Sequence, residues 1–220
     1  MTTAPTPPGN RLDRRKARTR AALIRAAQTL IAEGRTNVPI LEITQAADVG
    51  MGSFYNHFDT KEQLFDAAVE AVMDAYGQLL DRVTVEIEDP AEVFAASFRL
   101  TGRLHRREPE LSKVLLNNAL QLLSAANGLA PRARRDIEAA TAAGRFDVTD
   151  VDVAVTMAAG ALIALGQLLH DQPDRDVDET TDRVTEDLLR MLGVPRPEAQ
   201  RISSLPLPAL DTAEDDGSAA

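Results

Sequence analysis

Between Met51 and Lys61 the chain sets hydroxyl, amide, imidazole and ammonium groups at short intervals: Ser53, Tyr55, Asn56, His57 and Lys61, beside Met51 and Gly52. Ser and Asn can bond base edges or phosphate oxygens. Tyr, His and Lys can hold a sugar-phosphate backbone, and a glycine lets main chain approach a groove closely. This is the chemistry of binding. Catalysis has no comparable set, because His57, His105 and His170 are scattered and none has the spacing of a zinc motif such as H-E-x-x-H. P-loop, GxGxxG and GxSxG patterns are missing, and there is no cysteine to serve as nucleophile or thiolate ligand. No catalytic residue, metal site or cofactor is expected, and the chain does not read as an enzyme.

The elements that must position these groups follow from helical spacing. In Ile40 to Phe58, ILEITQAADVGMGSFYNHF, the residues Ile40, Ile43 and Ala47 form the inner side of one short helix and Asp48 to Gly50 the turn. Phe54 and Phe58, four apart, anchor a second short helix inward. Met51, Gly52, Ser53, Asn56 and His57 are thereby turned outward with Tyr55 beside them. A longer helix precedes the pair, from about Leu12 to Glu33, with Ala22, Leu23, Ala26, Ala27, Leu30 and Ile31 as its apolar face and Gly34 as its stop. Thr44 on the first short helix and Arg18 on the long one complete the DNA-contact candidates.

Charge agrees with a nucleic-acid partner once its distribution is considered. The net charge is −10, yet residues 1–63 hold nine basic against six acidic residues and the rest fifteen against twenty-eight. Seven basic residues lie between Arg11 and Arg25, against Asp13 alone. A basic head on an acidic body suits a DNA reader, since phosphate contact is a local requirement. The stretch Arg11 to Arg20 reads as an arm against phosphate or in a minor groove, or as a solvated tail.

The head resembles the TetR family of one-component regulators over about residues 18 to 66. The matching residues are Ala26, Ala27, Leu30, Gly34, Ile43, Ala47, Val49, Phe54, Tyr55, His57, Phe58, Lys61, Glu62 and Leu64. The resemblance implies that Tyr55 and Lys61 contact phosphate, that His57 joins them, and that Met51, Gly52 and Ser53 sit at the base-reading end. Three positions depart from the family pattern. Pro39 replaces a capping Thr, so Asn37 is the alternative cap of the first short helix; Asp48 replaces a turn Gly; and Gly50 replaces a Ser or Thr.

The same resemblance implies a C-terminal domain that pairs two protomers and encloses an inducer pocket. Sequence patterning predicts an all-α chain of nine helices: a three-helix helix-turn-helix domain over residues 11–59 and a six-helix regulatory domain over 60–193. Tails at 1–10 and 194–220 are expected to be disordered. Asp59 with Glu62, or Thr60 with Gln63, forms a capping box at the head of the fourth helix, which joins head to body. Ala154, Ala158, Ala161, Val184, Leu188 and Leu189 are the dimer candidates. Phe94, Phe98, Leu115, Asn118, Leu122, Phe146 and Met157 are the ligand candidates. The apolar run Val153 to Leu169 contains glycines and Gln167 and falls short of the about 20 residues a bilayer span needs, so no membrane partner is expected. The expected function is a cytoplasmic homodimeric regulator, a repressor on a near-palindromic DNA operator, released by a small-molecule effector. The alternative is a DNA-binding protein without small-molecule control, acting architecturally or through a protein partner.

Overall fold

A computed structural model describes residues 11–117 and 128–210. Ten helices and no strand occur among them: α1 (Arg11–Ala32), α2 (Ile40–Ala46), α3 (Met51–Tyr55), α4 (Lys61–Val83), α5 (Pro90–Arg107), α6 (Pro109–Asn117), α7 (Leu129–Ala142), α8 (Val151–Asp171), α9 (Val177–Met191) and α10 (Arg196–Ser203). The chain divides into two compact units, residues 1–69 and 70–220, with the division inside α4.

In the first unit, α1 buries Leu23, Ala26, Ala27, Leu30 and Ile31, the face its sequence marks out. Gly34 stops it: the residue takes φ of 70°, and the amide of Arg35 then donates back to the Leu30 carbonyl at 2.8 Å. Ile43 of α2, Phe54 of α3, Phe58, and Leu64, Ala68 and Val69 of α4 complete this core. Of the two capping arrangements expected at α4, the second is formed. The Gln63 amide donates to Thr60 Oγ1 at 3.2 Å, and the Gln63 side chain accepts from the Asp59 amide at 2.9 Å.

In the second unit, α5 is the central element and packs against α6, α7, α8 and α9. Three aspartates start helices by accepting from main-chain N–H groups: Asp89 for α5, Asp150 for α8 and Asp176 for α9. Phe94, Phe98, Ile137, Phe146, Leu165, Leu169, Leu188 and Leu189 fill the core. Among the described residues α8 alone is long and apolar enough to cross a membrane; Ala154, Val155, Ala158, Leu165 and Leu169 on it are buried.

The expected disordered tail from 194 is corrected by α10. Val194, Ala199 and Ile202 are buried in the core, and polar bonds hold the helix down. Arg201 reaches Glu92 at 2.7 Å, Arg145 reaches Glu198 at 2.6 Å, and the buried Arg99 donates to the Leu205 carbonyl at 2.6 Å. Arg201 and Arg145 hold the Glu198 carboxyl down to about 2. Prolines and small residues conceal this because the helix buries only a few apolar side chains. Residues 1–10 and 211–220 lie outside the described residues.

Candidate nucleic-acid interface and ligand cavity

The head holds its outward chemistry by the two phenylalanines. Phe54 is fully buried, Phe58 nearly so, with ring centroids 6.1 Å apart. Their burial fixes the rotation of α3, so Met51, Gly52, Tyr55 and Asn56 are exposed and Ser53 and His57 half-buried. The Tyr55 ring meets Phe54 edge-on at 5.3 Å, which braces the phenol while leaving the residue 57% exposed. Lys61 Nζ donates to Asn37 Oδ1 at 3.0 Å and so ties the loop before α2 to the start of α4. Asp48 takes φ of 52° in the turn, a left-handed conformation that Asp tolerates.

Three expectations for the head are corrected. Thr44 is only 2% exposed and its hydroxyl donates to the Leu41 carbonyl at 2.9 Å, so it belongs to the core and not to the DNA face. Asn37 does not cap α2; it accepts from Lys61, and Pro39 stands at the cap position with no side-chain bond. Arg11 to Arg20 is no arm preceding the first helix, being the N-terminal half of α1 itself.

That half-helix still carries the charge. Arg14, Arg15, Lys16, Arg18 and Arg20 are exposed. The Arg20 guanidinium lies over the Phe58 ring at 5.2 Å. Partial burial, then Lys16 and then Arg20, hold the His57 imidazole below the ordinary histidine value. Three positive or potentially positive groups thus meet beside α3, an arrangement suited to phosphate.

The second unit holds a half-open cavity of about 150 Å³ walled by α4, α5, α6, α7 and α8. Of the ligand candidates, Phe94, Phe98 and Leu115 line it, together with Leu104, Leu162 and Ile163. Phe146 does not: it packs edge-on against Phe94 at 5.5 Å within the core. Met157 is likewise corrected, standing 37% exposed on the outer side of α8. Asn118 and Leu122 lie outside the described residues.

Sequence reasoning missed the polar wall of this cavity. Arg132 donates to Asp81 at 2.8 Å, to Asp74 at 3.0 Å and to the Gly128 carbonyl at 2.8 Å. A Cβ at Gly77 would stand 2.6 Å from the guanidinium, so a glycine there admits the Arg. Arg135 bridges Asp81 and Asp136, each at 2.8 Å. The two carboxyls are driven apart. Burial pushes Asp136 up, whereas at Asp81 the bonds from Arg132 and Arg135 outweigh burial and leave it low. A buried carboxyl near a fixed guanidinium can exchange hydrogen bonds with a hydroxyl. The available signal was spacing: Arg132 and Asp136 lie four apart, on a helix whose Ile137 and Ala140 are core.

Of the expected pairing residues, four are turned into the core and two remain half-buried at its edge. Ala154, Ala158, Leu188 and Leu189 are buried in the core, and Ala161 and Val184 pack against it. The opposite side of α8 presents Val153, Met157, Gly160 and Ala164 to solvent, and Met191 of α9 is 47% exposed.

Comparison with known proteins agrees with both units. Residues 23–68 match the family of bacterial regulatory proteins, tetR family, and residues 89–205 match a tetracyclin repressor-like C-terminal domain. The chain is similar to solved structures of RolR. The ligand-free form is 39% identical, with TM-score 0.75 over 86% of this chain and 98% of that one. RolR in complex with resorcinol is 36% identical, with TM-score 0.70 over 90% and 98%. Curated relatives include the HTH-type transcriptional regulator TcmR of Streptomyces glaucescens, 33% identical over 49% of each chain. The nucleoid occlusion factor SlmA of Vibrio vulnificus is 23% identical over 48% of this chain and 55% of its own. The chain thus spans about half the length of the curated relatives it matches.

Proposed function

The chain belongs to the TetR family, and from that premise we propose a repressor that grips a near-palindromic operator as a homodimer and lets go when a one-ring hydroxylated aromatic enters its cavity. It is a DNA-binding transcriptional regulator and not an enzyme; the effector, the pairing and the operator are the proposed part. The cavity is the observation that carries the effector reading. An apolar cavity of about 150 Å³ is the size that takes up benzene, well below the ~300–1,000 Å³ of drug-sized sites. Phe94 and Phe98 supply aromatic walls, and Arg132 with Asp136 supplies a polar station for a hydroxyl. Resorcinol, the ligand of the related RolR, has this size and chemistry.

On the DNA side, Met51, Gly52, Ser53 and Asn56 face base edges, while Tyr55, His57, Lys61 and Arg18 hold phosphate. Pairing uses the exposed stripe Val153, Met157, Gly160 and Ala164 of α8 with Met191, where glycine and alanine permit close helix approach and the larger side chains give apolar area. Twofold pairing repeats the reading helix at a spacing of one DNA turn or a multiple, so the operator is an inverted repeat. The regulator works in the cytoplasm, where its DNA is. Selection from a random duplex library tests this reading. Enrichment of one inverted repeat, bound by a dimer, is expected; enrichment of nothing would overturn it.

A further inference from the structure

The cavity has a second polar group that the hydroxyl station does not use. His105 lines it from α5, on the face that begins with Phe94 and Phe98 and continues through Thr101. One ring nitrogen is committed: Nδ1 shares a 2.7 Å hydrogen bond with Ser112 Oγ of α6, and Ser112 is itself buried. The other is not. Nε2 is shut off from solvent and finds no hydrogen-bond partner among the described residues. Burial keeps the imidazole below the ordinary histidine value, against the Leu162 carbonyl, a backbone acceptor whose approach to the ring falls short of a well-formed bond to Nε2.

The fold makes room for this ring at a specific place. A Cβ at Gly166 of α8 would stand 2.4 Å from His105 Cε1, so any other residue there would push the imidazole aside. Ring position is therefore set from two sides, by Gly166 and by Ser112, while the remaining nitrogen is left to be satisfied. Buried polar groups in folded proteins are almost always bonded, and an exception in a cavity wall marks a place for a ligand atom.

We propose that His105 is the specificity-determining residue of the cavity: its Nε2 bonds a second hydroxyl of the effector while the first is met by Arg132 and Asp136. The inference rests on the reading of this cavity as the effector site. It selects an aromatic ring with two hydroxyls over a ring with one, because a singly hydroxylated ring leaves Nε2 buried and unsatisfied. Ser112 is a positioning residue that fixes which nitrogen faces the ring.

Binding of resorcinol and of phenol to the full chain, measured by calorimetry, tests it. The wild-type protein should prefer resorcinol by about tenfold. His105→Phe keeps a ring of similar size against Gly166, and should abolish that preference by weakening resorcinol while leaving phenol nearly unchanged. A second measurement needs no variant. With three histidines in the chain, ¹⁵N spectra of the ring nitrogens can follow His105, whose Nε2 resonance should move on adding resorcinol and hold still with phenol. A preference retained in His105→Phe, or an Nε2 resonance indifferent to resorcinol, overturns the inference alone. Failure of resorcinol to bind the wild-type protein overturns it together with the effector reading.

Discussion

The DNA face and the cavity wall hold polar chemistry in opposite ways. On α3 the functional groups are exposed and their placement comes from apolar anchors beneath, Phe54 and Phe58, to which they contribute little. At the cavity the groups hold one another, the half-buried Arg132 between Asp74 and Asp81, and the exposed Arg135 between Asp81 and the buried Asp136. Position and function are therefore separable in the head and fused in the body. A surface group can be exchanged without disturbing what places it, whereas a half-buried ion network loses its partners with any member.

The largest effect should come from the head's anchor. Phe54→Ala removes a fully buried ring and should cost about 3–5 kcal/mol of the head's stability, read as an early transition in thermal unfolding with DNA binding lost. An unshifted transition would mean that α3 is not placed from below. Next is the body's network. Arg132→Ala leaves Asp74 and Asp81 without their cation and should cost about 1–3 kcal/mol, less than a fully buried pair because both carboxylates are partly exposed. Resorcinol binding should fall in the same variant. Loss of binding with unaltered stability would show that function and placement are separable there too.

Tyr55→Phe should change stability by less than about 0.5 kcal/mol and lower affinity several-fold for all duplexes alike, since a phosphate bond carries no sequence information. A loss confined to the operator would move Tyr55 to the base-reading set. The smallest effect concerns pH. His57 is held below 6.5 in the free protein by burial, Lys16 and Arg20, and an adjacent phosphate would raise it. Binding then takes up a proton, so affinity should be greatest at low pH and fall as pH rises from the free value through the bound one. His57→Gln should flatten that slope, and an unchanged slope would remove His57 from the phosphate contacts.

The same contrast explains what could be read from sequence. Phe54, Phe58, Gly34 and Asp48 announce themselves because spacing or backbone conformation admits few residue types, and their places in the head follow directly. Asp89 and Asp150, which cap helix starts, and Gly193, which takes φ of 94° past the end of α9, are residue types that mark such places for the same reason. Arg132 and Asp136 were not, because charged residues on a helix ordinarily face water and only tertiary packing turns them inward. On α8 both sides are apolar, so periodicity could not tell the core residues Ala154 and Ala158 from Val153 and Met157 outside. Thr44 shows the reverse: a polar residue in a short helix whose hydroxyl satisfies its own backbone.

Coupling between the two regions is the central claim, and linkage tests it most directly. Anisotropy of a labelled operator duplex, titrated with protein across a series of resorcinol concentrations, gives the factor by which resorcinol weakens DNA binding. Calorimetry of resorcinol with and without operator gives the reciprocal factor. The two should be equal and lie between about 5- and 150-fold; operator affinity that stays constant while resorcinol saturates the protein would contradict the claim.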